Sequence, residues 1–190
     1  MASEVSICNS ALLELGEDFI TALTEDSKAA RLCNLVYSEM RDELLRKYPW
    51  NFATERKEIG RLTSTPPFGF AYEYQLPSDC LRVLGTNLGV EYSGVIWKVE
   101  GRKLRSDMLF THILYIRQET NTTLMDPLFR ECLAARIAWK LAIPLTDDRQ
   151  LANDMAAAFM GKVSSAYFND AIEGTPDNVT MSPGYLEARY

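Results

Sequence analysis

The sequence predicts an α+β fold: a four-helix bundle-like core, an inserted small and mostly antiparallel β module, and an extended C-terminal arm. Three observations carry this. Apolar residues recur at helical spacing in the first 49 residues and again from Asp126 onward. Between them the helical period lapses and short alternating runs bounded by Gly and Pro take over. At the first crossover, Leu44 to Arg56 turns a long helix directly into extended chain. The organisation read from this is a helical hairpin over residues 1–49, a β module over 50–125, a second helical pair over 126–174 and an arm over 175–190.

Ser3 is a natural N-cap for a first helix whose apolar stripe is Val5, Cys8, Ala11, Leu12 and Leu15, and Gly16 suits its C-cap. A linker with Ile20 and Leu23 leads to Asp26, the expected cap of a second helix. That helix buries Ala29, Cys33, Val36, Tyr37, Met40 and Leu44 and turns Glu39, Arg41, Asp42 and Glu43 mostly to water. Pro49 disfavours helical backbone at Tyr48, so the helix stops there. Tyr48, Trp50 and Phe52 then alternate, which on a strand places three large rings on one face, between a helical layer and a sheet.

Thr63 to Gly69 reads as a loop, and Ala71 to Leu76 as a strand closed by Pro77-Ser78-Asp79. Cys80 to Leu84 is a short strand. Gly94 to Val99 and Lys103 to Ser106 flank a tight turn at Glu100-Gly101-Arg102. Leu109 to Arg117 is apolar on both faces, so it is expected at the centre of the sheet or against helices. Asp126-Pro127 marks a strong helix start. The helix from Leu128 to Ile143 is apolar nearly all round and therefore buried, with Pro144 ending it. Thr146, followed by Asp147 and Asp148, is expected to cap a fourth helix with the stripe Leu151, Met155, Phe159, Val163 and Tyr167. The arm keeps Val179, Met181, Tyr185, Leu186 and Tyr190, more apolar side chains than a solvated tail needs, and is read as a candidate subunit or partner interface.

Hydrophobic residues make up 47% of the 190-residue chain and charged residues 24%, an ordinary globular balance that argues against disorder. Four cysteines without close spacing read as free thiols of a reducing cytoplasm. No signal peptide is visible, and no window approaches the roughly 20 apolar residues of a membrane span, so no membrane partner is expected. A net charge of −6 argues against general adhesion to nucleic acid. His112, the sole histidine, lies in the most apolar strand and reads as a core or interface residue. Histidine triads and multi-histidine metal sites thus lack material, and no phosphate-loop, dinucleotide or hydrolase motif is present. No catalytic, cofactor-binding or metal-ligating residue is assigned. Lys98, Arg102, Lys103 and Arg105 gather on one hairpin. They are either a contact for phosphates or an acidic partner, or a charged edge that resists aberrant pairing.

An ordered set of residues runs through most of the chain. It begins with Leu15-Gly16-Glu17, Ile20, Leu23, Ala29-Ala30, Cys33 and Tyr37, then Arg41, Leu44-Leu45, Pro49-Trp50-Asn51-Phe52-Ala53 and Arg56. Pro67, Tyr74, Leu76-Pro77 and Asp79-Cys80-Leu81-Arg82-Val83 follow, with Tyr115. Phe129, Ala134-Ala135, Ala138, Leu141-Ala142 and Leu145-Thr146 complete it. In this order and combination the chain resembles the tail tubular protein A-like head-to-tail adaptors of short-tailed bacteriophages. The hairpin and the arm carry no matching motif.

The resemblance implies a virion structural protein without enzymatic activity. It would form a homo-oligomeric ring, dodecameric in that family, beneath the portal protein, with the tail nozzle and tail fibre proteins below. DNA would pass through the channel without sequence-specific binding. The place implied is the virion tail, reached from the host cytoplasm during assembly. Trp50, Asn51, Phe52, Pro77 and Asp79 would be structural motif residues. The alternative kept open is a nucleic-acid-binding or regulatory module acting through the basic hairpin.

Overall fold

Reciprocal capping starts the first helix, α1 (Glu4–Leu15): the Ser3 hydroxyl accepts from the Ser6 amide and the Ser6 hydroxyl accepts from the Ser3 amide. Two donors that a helix start leaves without partners are thereby satisfied. The computed structural model describes residues 2–90 and 96–173. Gly16 closes α1 at φ 71°, the left-handed conformation that glycine enters without steric cost. The Asn9 side chain then pins the linker, donating to the Ile20 carbonyl and accepting from its amide, both at 2.9 Å.

Helix α2 (Lys28–Lys47) is capped by Ser27, whose hydroxyl accepts from the Ala30 amide, and not by Asp26. Asp26 instead pairs with Arg31 at the surface. Tyr48 is extended, as a residue before proline should be, but no strand follows at once. A single 3₁₀ turn, Asn51–Ala53, intervenes, and β1 (Thr54–Glu58) begins only at Thr54. The rings therefore do not share a strand face. Trp50 turns inward because its indole N–H donates to the Leu44 carbonyl at 3.0 Å. Phe129 meets both Trp50 (5.2 Å) and Phe52 (5.0 Å), and Tyr48 lies against Tyr167 (5.3 Å).

Among the described residues the strands form two antiparallel sheets. One has the order β1-β7-β3-β4, with β3 (Cys80–Thr86), β4 (Gly89–Val90) and β7 (His112–Arg117). The other has the order β2-β6-β5, with β2 (Tyr72–Gln75), β5 (Trp97–Glu100) and β6 (Lys103–Ser106). Gly101 and Arg102 join β5 to β6 with φ of 56° and 61°, the pair of left-handed residues that a two-residue hairpin turn needs. β7 is central, as its apolar pattern predicts: β1 and β3 flank it.

Helix α3 (Pro127–Thr146) starts where the Asp126 carboxylate accepts from the Leu128 and Phe129 amides. Pro144 does not end it. The ring falls in the last turn, where its missing N–H forgoes one bond and the helix runs on to Thr146. Asp147, left-handed at φ 54°, closes it by donating its amide to the Ile143 carbonyl at 2.9 Å. The cap of α4 (Arg149–Ile172) is Asp148, not Thr146, whose hydroxyl donates back to the Ala142 carbonyl.

Helix α3 touches α1, α2 and α4, and its buried face runs from Phe129 to Ala142. The four helices share one hydrophobic core, joined by Trp50, Ala53 and Ile116. A second, smaller core lies in the β module around Tyr74, Leu104, Phe110, Ile113 and Tyr115. Strand β7 borders both: Ile116 enters the first, Ile113 and Tyr115 the second. All four cysteines are free and buried. No helix among the described residues is long and apolar enough to cross a membrane.

Candidate interaction site

The basic hairpin is not an open row of cations. Glu73 on β2 sits directly opposite Arg105 on β6 and is only 3% exposed. Its carboxylate accepts from Lys103 Nζ at 2.8 Å, from Arg105 Nε at 3.0 Å and from the Ser64 hydroxyl at 3.2 Å. The Lys103 hydrogen bond, above all, holds Glu73 below the ordinary carboxyl value of 4.5. Lys98 and Arg105 converge on Glu100, which the Lys98 hydrogen bond lowers most. Glu73 and Glu100 were the missed partners. The signal for Glu73 was a lone acid inside an alternating strand.

Arg102 differs from its three neighbours. Its Nη2 donates to the Pro77 and Ser78 carbonyls, both at 2.8 Å, so the β5–β6 turn is tied to the loop that enters β3. That loop holds two of the motif residues. Pro77 also accepts from the Cys80 amide, and Asp79 accepts from the Gln118 amide at 2.7 Å and the Tyr115 hydroxyl at 3.4 Å. The other motif residues bind the helices together. The Asn51 amide donates to the Asp170 carboxylate, and its side-chain nitrogen to the Asp170 carbonyl at 2.6 Å. Thus Trp50, Asn51 and Phe52 lie at the junction between α2, α3 and α4, while Pro77 and Asp79 lie in the β module. They form no common site.

Between the Arg102 turn, β3 and the end of α2 opens a cleft of about 310 Å³. Its apolar lining comes from Leu76, Val83, Trp97 and Val99, and Arg46, Arg82 and Arg102 border it. Arg46 reaches the Leu81 carbonyl through Nη1. The Trp97 indole N–H is buried and finds no partner among the described residues. A buried donor left in this way costs about 1–3 kcal/mol. The charged and indole side chains of the lining are all donors. Burial pushes the bordering Cys80 thiol up to about 11, so it is a poor nucleophile at neutral pH. The chemistry such a cleft offers is recognition of an acceptor.

A second cleft, about 380 Å³, lies between α1, α3 and α4 and is lined by Ser6, Ser10, Glu14, Arg130, Glu131 and Lys162. Lys162 pairs with Glu14, whose other carboxylate oxygen is buried without a partner among the described residues. Several large apolar side chains that line neither cleft are exposed. Met160, Phe168 and Ile172 lie on α4, and Phe68 (87% exposed) and Ile96 (71%) belong to the β module.

His112 is not a core residue. It is exposed at the first position of β7, its Nδ1 within 2.7 Å of the Thr111 hydroxyl, because only the later β7 residues enter the cores. No group of three or more His, Cys, Asp or Glu among the described residues is placed to hold a metal ion. The arm residues Val179, Met181, Tyr185, Leu186 and Tyr190 lie outside the described residues.

Neither a family model nor a curated protein matches the chain.

Proposed function

We propose that this chain is a head-to-tail adaptor of the tail tubular protein A-like kind, a structural protein and not an enzyme. Copies of it form a ring, dodecameric on the family's pattern, beneath the portal protein. The ring carries the tail nozzle and fibres and lets DNA pass. The helices are read as the family's four-helix bundle-like core, with the β module inserted into it. The observation that carries this reading is the ordered motif set from Leu15 to Thr146, above all Pro49-Trp50-Asn51-Phe52-Ala53.

Physical features support it. A closed ring needs two different patches on each subunit. The exposed Met160, Phe168 and Ile172 stripe on α4 and the apolar arm over 175–190 are two such candidates. A chain of net charge −6 favours free passage of DNA, because like charge repels phosphates from a channel wall. The alternative, a nucleic-acid module using Lys98, Lys103 and Arg105, meets an obstacle: those three cations already pair with Glu73 and Glu100.

The test is assembly. Purified protein mixed with portal rings should yield ring-on-ring complexes by electron microscopy, and deletion of residues 175–190 should weaken them. Absence of any complex with the full chain would refute the adaptor reading. Unchanged complexes after the deletion would remove the arm from it.

A further inference from the structure

We propose that the cleft between the β5–β6 turn and β3 is a binding site for an acidic chain segment of a partner protein. A partner carboxylate would meet the guanidinium groups of Arg102 and Arg46. An apolar side chain two positions along the partner would sit among Leu76, Val83, Trp97 and Val99.

The chemistry of the lining selects this occupant. Arg46 and Arg102 line the cleft with guanidinium donors, and no acidic side chain among the described residues lines it. A guanidinium has five donors. The described bonds engage Nη1 of Arg46 and Nη2 of Arg102, which fixes the groups in place and leaves further N–H groups for a ligand. Arg102 is held with φ 61° in a tight turn, so it meets a ligand already ordered. The wall is apolar, and the volume of about 310 Å³ suits one or two side chains better than a polymer of phosphates. Nucleic acid is also disfavoured by the surroundings. Lys98, Lys103 and Arg105 are already paired with Glu73 and Glu100, so among the described residues the hairpin offers no track of unpaired cations leading away from the cleft.

This inference rests on the cleft alone. A failure of ring assembly would leave it standing, and a failure here would leave the adaptor reading standing.

The experiment uses the full chain and a terminally blocked hexapeptide, Glu-Ser-Leu-Ser-Glu-Ser, in which leucine stands two positions from each glutamate. Its glutamine and lysine counterparts and a thymidine hexanucleotide serve as controls. Binding is read by calorimetry and by the Trp97 indole N–H resonance. The glutamate peptide should bind, shift that resonance and weaken as salt is raised. Arg102→Gln should weaken it at least about tenfold, the worth of a charge-assisted pair. Trp97→Phe, which keeps the wall apolar and leaves Arg102 in place, should erase the resonance while retaining measurable binding, so a misfolded Arg102 variant would not decide the matter. Equal binding of the glutamine peptide, preference for the oligonucleotide, or no binding of the glutamate peptide would overturn the proposal. So would self-association of the free chain that Arg102→Gln abolishes, since the cleft would then belong to a second copy.

Discussion

Trp50 shows how one side chain can decide a turn of chain. It is 1% exposed, its ring edge meets Phe129, and its N–H satisfies the Leu44 carbonyl near the end of α2. Replacing it with Phe keeps most of the packing but leaves that carbonyl unpaired, a cost of about 1–3 kcal/mol. Trp50→Ala should cost about 3–5 kcal/mol by opening a cavity. Urea titration checks both, as a lower midpoint at unchanged slope. Glu73 yields a pH prediction. Its carboxyl is held below the ordinary value, chiefly by Lys103. A depressed acid stabilises the fold above its unfolded pKa and loses that contribution as pH falls through the folded value. Glu73→Gln should therefore melt below the wild type at pH 7, with the gap closing as the pH drops under 4.5 and continues down; a gap that stays constant across that range would contradict the pairing.

Elements were legible wherever a local rule went unopposed. Ser3, Gly16, Asp126 and the Gly101 turn mark boundaries that the structure keeps, because each satisfies backbone groups that have no competing partner. Pro144 shows the opposite. Proline usually breaks a helix, yet here the packing of α3 between its neighbours outweighs one forgone hydrogen bond near the helix end. Pro144→Ala should accordingly leave stability within about 1 kcal/mol of the wild type. The regained bond and better propensity oppose the greater freedom of the unfolded chain. Thermal unfolding with helical circular dichroism measures the difference. The start of β1 was misplaced for a related reason. Alternating rings are a strand signal only when the chain runs straight, and the ties from Trp50 to Leu44 and from Asn51 to Asp170 curl it into a 3₁₀ turn. Those partners are 6 and 119 residues away in sequence. No window of sequence contains the second.

At the level of the whole molecule, the mixed helix-and-sheet class followed from the change of period, and the central place of β7 from the apolar residues on both of its faces. The candidate site did not. Four neighbouring cations announced the hairpin, but three of them proved to be matched by Glu73 and Glu100, and the cleft depends on Arg46 and Val83, remote in sequence from Arg102. Because Ile116 is wholly buried where β7 meets the helical core, Ile116→Ala should destabilise the fold by about 2–5 kcal/mol. It should do so while preserving one transition by both fluorescence and circular dichroism, since both cores hang on that strand.

β7 has a mechanical consequence as well. Anything that grips the β module and draws it away from the helices must pull on a strand clasped along both edges by β1 and β3. Tension then falls on many ladder bonds at once, where a peeling hairpin would meet them one by one. A subunit built this way should stretch little before it yields, and then give way all together.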